Sequence, residues 1–340
     1  VDAPAEVADP DEILYPELED AANAVERIPE EDYEPTQQQK RVIAAIQSGK
    51  DVVVRAMAGT GKTSTLLGAA RRSLKDSPRK RILYVAFNKS VQEEAAGKFP
   101  DNTEVRTANS LAWRAMGKKF TDKTSSVSGW GRNKKFMKSK PDDISQALGM
   151  KPIKEADGSA MKRRAAVALV QEAVTRYMIS ADDSISAKHV SDAAYVREAD
   201  LDDAAQAQVL EYANRLWNDY ANPNGQIKMS QDALVKLWAL GGADFRDRRS
   251  GVYHELGGDG TIFFDEAQDI NPVLAQVVGN QQAQLVTVGD GNQAIYGFRG
   301  STDQLDKMKA DYDLPLDESH RFGQGIAEAG NRMLRLGKSK

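Results

Sequence analysis

The chain has 340 residues, with 46 lysines and arginines against 50 acidic residues and a net charge of −4, so any contact with nucleic acid must come from a local patch and not from bulk charge. A hydrophobic fraction of 41% is ordinary for a globular protein with room for two domains or one domain with an insertion, and no apolar run approaches the ~20 residues that span a bilayer. Cysteine is absent, which excludes disulfides and thiolate metal sites, and His189, His254 and His320 lie too far apart in sequence to suggest a zinc site.

Residues 1–34 hold thirteen acidic side chains against one basic one, Arg27, and are interrupted by Pro4, Pro10, Pro16 and Pro29. That composition predicts an acidic, flexible arm, although Ile13–Ile28 could form an amphipathic helix; it also predicts no secretory signal. Pro35-Thr36 opens a helix over Gln37–Ile46, with Val42, Ile43 and Ile46 as its apolar face. Asp51–Val54 then reads as a strand running into a small-residue loop, Ala58-Gly59-Thr60-Gly61-Lys62-Thr63-Ser64, followed by a helix. Such a loop turns its N–H groups around a phosphate chain, places Lys62 at the β- and γ-phosphates and offers the Thr63 hydroxyl to Mg²⁺. The strict pattern asks for glycine where Ala56 stands; Ala56 precedes the tightest part of the loop, where a methyl group is tolerable. A glutamine just upstream can read adenine, because its amide donates and accepts at once.

Arg81–Phe87 is a buried strand by its apolar continuity, followed by Asn88-Lys89-Ser90 and a helix to about Phe99. A shorter strand at Thr103–Val105 leads into Thr107–Ala112. This alternation predicts a parallel sheet. From Trp113 to about Gly258 it stops, and helical patterns take over at Met161–Ile179, Asp202–Tyr220 and Ser230–Leu240. The first part of that region is basic, with Lys118, Lys119, Lys123, Arg132, Lys134, Lys135, Lys138 and Lys140 interleaved with Phe120, Trp130 and Phe136, a mixture suited to a phosphate backbone with exposed bases. Thr261–Phe264 is an apolar strand ending in Asp265-Glu266, where a phosphate-loop ATPase needs one acid for Mg²⁺, directly or through water, and one to polarise the attacking water. Leu285–Val288 is a further strand, and the loop after it, Gly289–Gly300, presents Gln293, Tyr296, Phe298 and Arg299 in quick succession.

Taken in order and spacing, Gln39–Val42, Ala58–Thr63, Ala86–Lys89, Thr107–Ala112, Asp265–Asp269, Gly289–Gly300 and Ser319–Phe322 resemble the N-terminal half of a superfamily 1, UvrD/Rep-type DNA helicase. AFNKSVQEEA, YMISADDSISAKHV, LVKLWAL and SHRFG look closest to the helicase part of F-box DNA helicases and their phage and bacterial relatives. The resemblance implies an α/β fold, a RecA-like P-loop sheet built from residues 35–112 and 258–312. It places a mostly helical, DNA-contacting insertion at 113–257 and the start of a second RecA-like domain at 313–340. ATP and Mg²⁺ are the implied cofactors. Single-stranded DNA and duplex junctions are the implied partners, away from membranes and in the cytoplasm, with the rest of the second domain expected in cis.

Residue by residue, the resemblance makes Gln39 the adenine reader (or Gln37 or Gln38 in a shifted register), with His320 covering the base. Ala58–Ser64 would hold the phosphates, Thr63 and Asp265 the metal, and Glu266 would be the general base. Gln293 would sense the γ-phosphate, and Arg299 and Arg321 would stabilise the charge on the transferred phosphoryl group. Phe87, Asn88, Lys89, Thr107, Asn109, Tyr296 and Phe298 would contact DNA, the aromatic ones by stacking on bases. Three positions depart from the pattern: Asn109 and Gln231 stand where histidine is usual, and His320 where an aromatic residue is usual. An alternative reading is a DNA-binding or structural module derived from such a helicase but catalytically incomplete. On the helicase reading, the acidic arm could occupy a basic DNA groove.

Overall fold

The computed structural model describes residues 15–25, 34–124, 139–155, 157–191, 201–243, 260–290 and 305–318. Its centre is a six-stranded sheet, all parallel, in the order β3-β2-β4-β5-β1-β6. The strands are β1 (Val52–Ala56), β2 (Ile82–Ala86), β3 (Thr103–Thr107), β4 (Thr261–Phe264), β5 (Gln284–Gly289) and β6 (Tyr312–Leu316). Five of them, β1 to β5, lie where the sequence predicts strands; β2 and β4 are buried at every position, as strands covered on both faces must be.

Side-chain alternation divides the sheet between two hydrophobic cores. Val52, Val54, Tyr84, Phe263, Val286 and Val288 face one core with helices α2 (Gln37–Gln47) and α3 (Lys62–Asp76), which contribute Val42, Ile43 and Ile46 and Leu66, Ala69 and Ala70. The short helix α4 (Lys89–Ala96) adds Ala95 to this side. Val53, Leu83, Val85, Ile262 and Phe264 face the other core. That core is continuous with the helices between β3 and β4: α5 (Ala108–Met116), α6 (Pro141–Ala147), α7 (Arg163–Ile179), α8 (Ala187–Ser191), α9 (Asp203–Ala221) and α10 (Gln231–Leu240). Helix α11 (Pro272–Gly279), between β4 and β5, joins the same core through Val273 and Val277. Val167, Val170, Val174, Val209 and Leu216 are each at most 1% exposed, and full burial of such a side chain contributes about 1.5–3 kcal/mol. The insertion is therefore fused to the sheet by packing, and α5 crosses the boundary expected at residues 112–113.

Two further expectations change. Tyr312–Leu316, at the start of the stretch expected to open a second domain, pairs with β1 along its whole length as the edge strand of this sheet. Its sequence, YDLPL, disguises it, since Asp313 and Pro315 interrupt the apolar run. An edge strand has one side unpaired, so it accepts a proline, and Asp313 pairs with Arg55 of β1 at 2.9 Å. Residues 15–25, within the stretch expected to be a flexible arm, are packed. Leu18, Ala22 and Val25 are buried, Glu19 in helix α1 (Glu19–Asn23) pairs with Arg41, and the Tyr15 ring stands edge-on to Tyr312 at 5.0 Å. The described part of this acidic segment thus sits on α2 and β6, and the rest of it lies outside the described residues.

Candidate nucleotide-binding and catalytic site

Because all six strands are parallel, the loops leaving their C-terminal ends gather along one edge of the sheet, where open α/β sheets bind ligands. β1 delivers the phosphate loop. Ala56 is the last residue of that strand, 2% exposed and within the first core, so its methyl group is accommodated there. Gly59 and Gly61 adopt φ of 79° and 80°, the left-handed region that glycine enters without strain. A Cβ at Gly61 would also lie 2.6 Å from the Gln39 amide nitrogen, so the Gln39 side chain would have to shift. Gly61 is the N-cap of the 15-residue α3 and supplies no side-chain cap, whereas Thr36, Asn88 and Thr107 cap α2, α4 and α5 with their own oxygens. The first-turn N–H groups of α3, from Lys62, Thr63 and Ser64, are left to an anion at the positive end of the helix dipole.

β4 delivers the acids. Lys62 Nζ donates to Glu266 Oε2 at 3.0 Å, joining residues 204 positions apart. Glu266 takes a left-handed backbone conformation (φ 56°, ψ 43°), uncommon for a side chain of its size, and so turns away from the strand direction toward Lys62. Asp265 is 3% exposed; its Oδ1 accepts the Glu266 N–H at 2.9 Å and its Oδ2 accepts the Tyr84 hydroxyl at 2.5 Å. Burial pushes the Asp265 carboxyl above the usual carboxylate range, with the Tyr84 hydrogen bond pulling the other way, Glu266 pushing further up and the Lys62 charge pulling down. A carboxylate and a hydroxyl are hard oxygen donors, and no group of three or more His, Cys, Asp or Glu among the described residues could hold a metal unaided. That donor set fits Mg²⁺, which binds through one or two carboxylates together with nucleotide phosphates and water.

Two residues absent from the sequence expectations complete this edge. Tyr84, from β2, is fully buried and bonded to Asp265 as above. Gln268, 2% exposed, donates to Glu266 Oε2 at 2.8 Å and accepts the Asp290 N–H at 2.9 Å. Gly289 permits that approach: a Cβ there would lie 2.7 Å from Gln268 Oε1. The only available signal was the place of Gln268 within Asp-Glu-Ala-Gln-Asp; nothing in the RILYVAF run marks its tyrosine.

The three glutamines that open α2, Gln37, Gln38 and Gln39, each hold a different neighbour. Gln37 donates to Glu19 and Asn23 of the N-terminal segment, at 3.3 and 3.1 Å. Gln38 donates to Asp317 Oδ1 at 2.6 Å and accepts the Asp317 N–H at 3.0 Å, just beyond β6. Gln39 is 1% exposed, closes a capping box with Thr36 and donates to the Thr60 carbonyl at 3.0 Å. In this arrangement Gln39 braces the phosphate loop, and reading a base would require it to give up these bonds.

The residues expected at DNA line the neighbouring strand ends. Phe87 is partly buried, Asn88 is an exposed N-cap accepting the Val91 N–H, and Lys89 is exposed with Glu93 3.4 Å away. Thr107 caps α5, and the exposed Asn109 donates to Gln231 Oε1 at 3.1 Å, so the two amides standing where histidines are usual meet each other. Within the basic stretch, Lys123 is 2% exposed and paired with Asp219 at 2.7 Å, and Phe120 is core; both are structural and unavailable to nucleic acid. Gln293, Tyr296, Phe298, Arg299, His320 and Arg321 lie outside the described residues, as do Trp130, Arg132, Lys134, Lys135, Phe136 and Lys138. No helix among the described residues is long and apolar enough to cross a membrane.

A parallel sheet with a phosphate loop after β1 and an acid pair after β4, bridged by Lys62, defines a RecA-like nucleotide-binding domain. More narrowly, the chain belongs to the UvrD/REP helicase N-terminal domain family, whose family model matches residues 35–313. It is 29% identical over 309 residues to F-box DNA helicase 1 of Gallus gallus, a match covering 88% of this chain and 27% of that protein. It is likewise 29% identical over 308 residues to F-box DNA helicase protein 1 of Schizosaccharomyces pombe, covering 88% of this chain and 33% of that protein. The chain thus spans between a quarter and a third of the length of these relatives.

Proposed function

We propose that these residues form the ATP-binding half of a motor that translocates on single-stranded DNA and unwinds duplex at junctions. The observation that carries this reading is the Lys62–Glu266 pair at 3.0 Å, which sets the phosphate-loop lysine against the acid adjoining Asp265. The β- and γ-phosphates of ATP compete with Glu266 for the same Lys62 ammonium. ATP therefore draws the ammonium onto its phosphates and releases Glu266, which is then free to take the proton of the attacking water. The first turn of α3 supplies N–H groups to the phosphates, and Thr63 and Asp265 would hold Mg²⁺. When bound there, the ion would supply positive charge against the charge building on the transferred phosphoryl group. Gln268 links Glu266 to Asp290, where the chain leaves β5 for the loop expected to touch DNA, and so offers a path between strand contact and the base. The reading requires a second RecA-like domain to close on the nucleotide and complete the DNA track.

The test is DNA-stimulated ATP hydrolysis and strand separation by the parent polypeptide carrying both domains. Lys62→Ala is expected to abolish nucleotide binding and turnover; Glu266→Gln should keep nucleotide binding and lose turnover by about 10²–10⁴-fold. DNA-stimulated hydrolysis that survives both substitutions sinks the proposal.

A further inference from the structure

Tyr84 is among the largest fully buried side chains of the protein and is 0% exposed. Its neighbours in the same core, Val52, Val54, Phe263 and Val286, are apolar, and its ring packs on Phe99 at 4.9 Å. Packing alone asks for a phenylalanine here. The hydroxyl adds one thing, a 2.5 Å hydrogen bond to Asp265 Oδ2. Strand register explains the reach: Tyr84 lies opposite Phe263, and Asp265 follows two residues later on the same side of the chain. The carboxylate is thereby held at both oxygens, with the Glu266 N–H on Oδ1. A hydroxyl donor to an ionised acceptor makes a strong, directional bond, and two such anchors fix the carboxylate's rotation.

We propose that Tyr84 is the positioning residue of the metal carboxylate: its phenol orients Asp265 toward the phosphate loop and thereby sets the protein's affinity for the Mg²⁺ that accompanies ATP. This rests on the reading of Asp265 as the acid that holds the metal. Without the phenol, Asp265 keeps only the Glu266 N–H and can turn, with the Lys62 charge to attract it. Outer partners of this kind change metal affinity by about 10–100-fold when removed.

The experiment measures binding of a fluorescent ATP analogue to the purified 340-residue chain, first in EDTA and then through a Mg²⁺ titration. Tyr84→Phe should leave metal-free affinity within about twofold of the parent and raise the Mg²⁺ midpoint at least about tenfold. An unchanged midpoint in Tyr84→Phe, with Asp265→Asn weakening it, overturns the role of Tyr84 and leaves the metal assignment of Asp265 standing. An unchanged midpoint in Asp265→Asn removes that assignment, and the proposal with it. As a second comparison, the double variant Tyr84→Phe/Asp265→Asn is set against Asp265→Asn alone. Equal midpoints are expected, because the phenol then has no carboxylate to orient; a further loss shows that Tyr84 acts through packing and overturns the proposal.

Discussion

Lys62, Glu266 and Gln268 form a chain of contacts whose members the sequence reveals unequally. Lys62 and Glu266 are readable because phosphate chemistry demands a cation after the glycines and an acid at a strand end, and both demands are local. Gln268 is not, since its meaning depends on Asp290, 22 residues away, which only the β4–β5 register brings within 2.9 Å. Tyr84 is hidden for the same reason: in sequence it is one more strand aromatic, and only its register opposite Phe263 aims its hydroxyl at Asp265. Gln39, read from the sequence as a base reader, has its amide engaged by the Thr36 N–H within its own helix turn and by the Thr60 carbonyl of the phosphate loop. Gln268→Ala should lower the maximal DNA-stimulated hydrolysis rate of the parent polypeptide about 10–100-fold while leaving the KM for ATP nearly unchanged, as expected when a catalytic group loses its support and drifts. Steady-state kinetics decide it, and a raised KM with normal rate would instead place Gln268 in nucleotide binding.

Among the elements, the long amphipathic helices were the most legible. Met161–Ile179, Asp202–Tyr220 and Ser230–Leu240 were expected, and Arg163–Ile179, Asp203–Ala221 and Gln231–Leu240 form, because a sustained apolar period over three or more turns leaves few alternatives. β6 was illegible as part of this sheet, since an edge strand carries only half the apolar pattern. Helix α10 also carries a charge that no periodicity foretells. Lys236 is 1% exposed, donates to the carbonyls of Ser180 and Asp182 at 2.8 and 2.5 Å, and lies over the Tyr177 ring at 4.5 Å. Burial lowers its pKa from 10.5 to about 8, with the nearby charges of Asp182 and Asp183 acting in the opposite direction. Below about pH 8 the lysine is protonated folded and unfolded, and the fold bears the full penalty of the buried charge. Between about 8 and 10.5 the folded state releases its proton first, so the unfolded chain binds more protons and stability rises with pH. Urea unfolding from pH 7.5 to 9, where tyrosines remain mostly protonated, should show this rise, on the order of 1 kcal/mol across the window. Lys236→Met should flatten the slope even though it lowers stability at neutral pH by leaving two carbonyls without a donor.

At the scale of the whole molecule, β1 and β2 follow each other in sequence yet are separated in the sheet by β4 and β5, which come after residue 260. The strand that carries the phosphate loop therefore has no partner among the first 260 residues: its neighbours are β5 and β6. As the chain emerges during synthesis, the glycine loop, Lys62 and the whole helical insertion appear before any strand that can hold β1 in place. Closing that sheet spans more than 230 residues of intervening chain from Val52 to Val286, and such distant pairings pay a large entropic toll before any hydrogen bond forms. A fragment ending at residue 243 should accordingly contain the entire phosphate loop and bind no ATP, whereas the 340-residue chain binds it; fluorescence titration of both with an ATP analogue checks this. The cradle in this sense waits for β5 and β6, so a nascent or truncated copy displays the motif without the affinity, and nucleotide can act as a report that the sheet has closed.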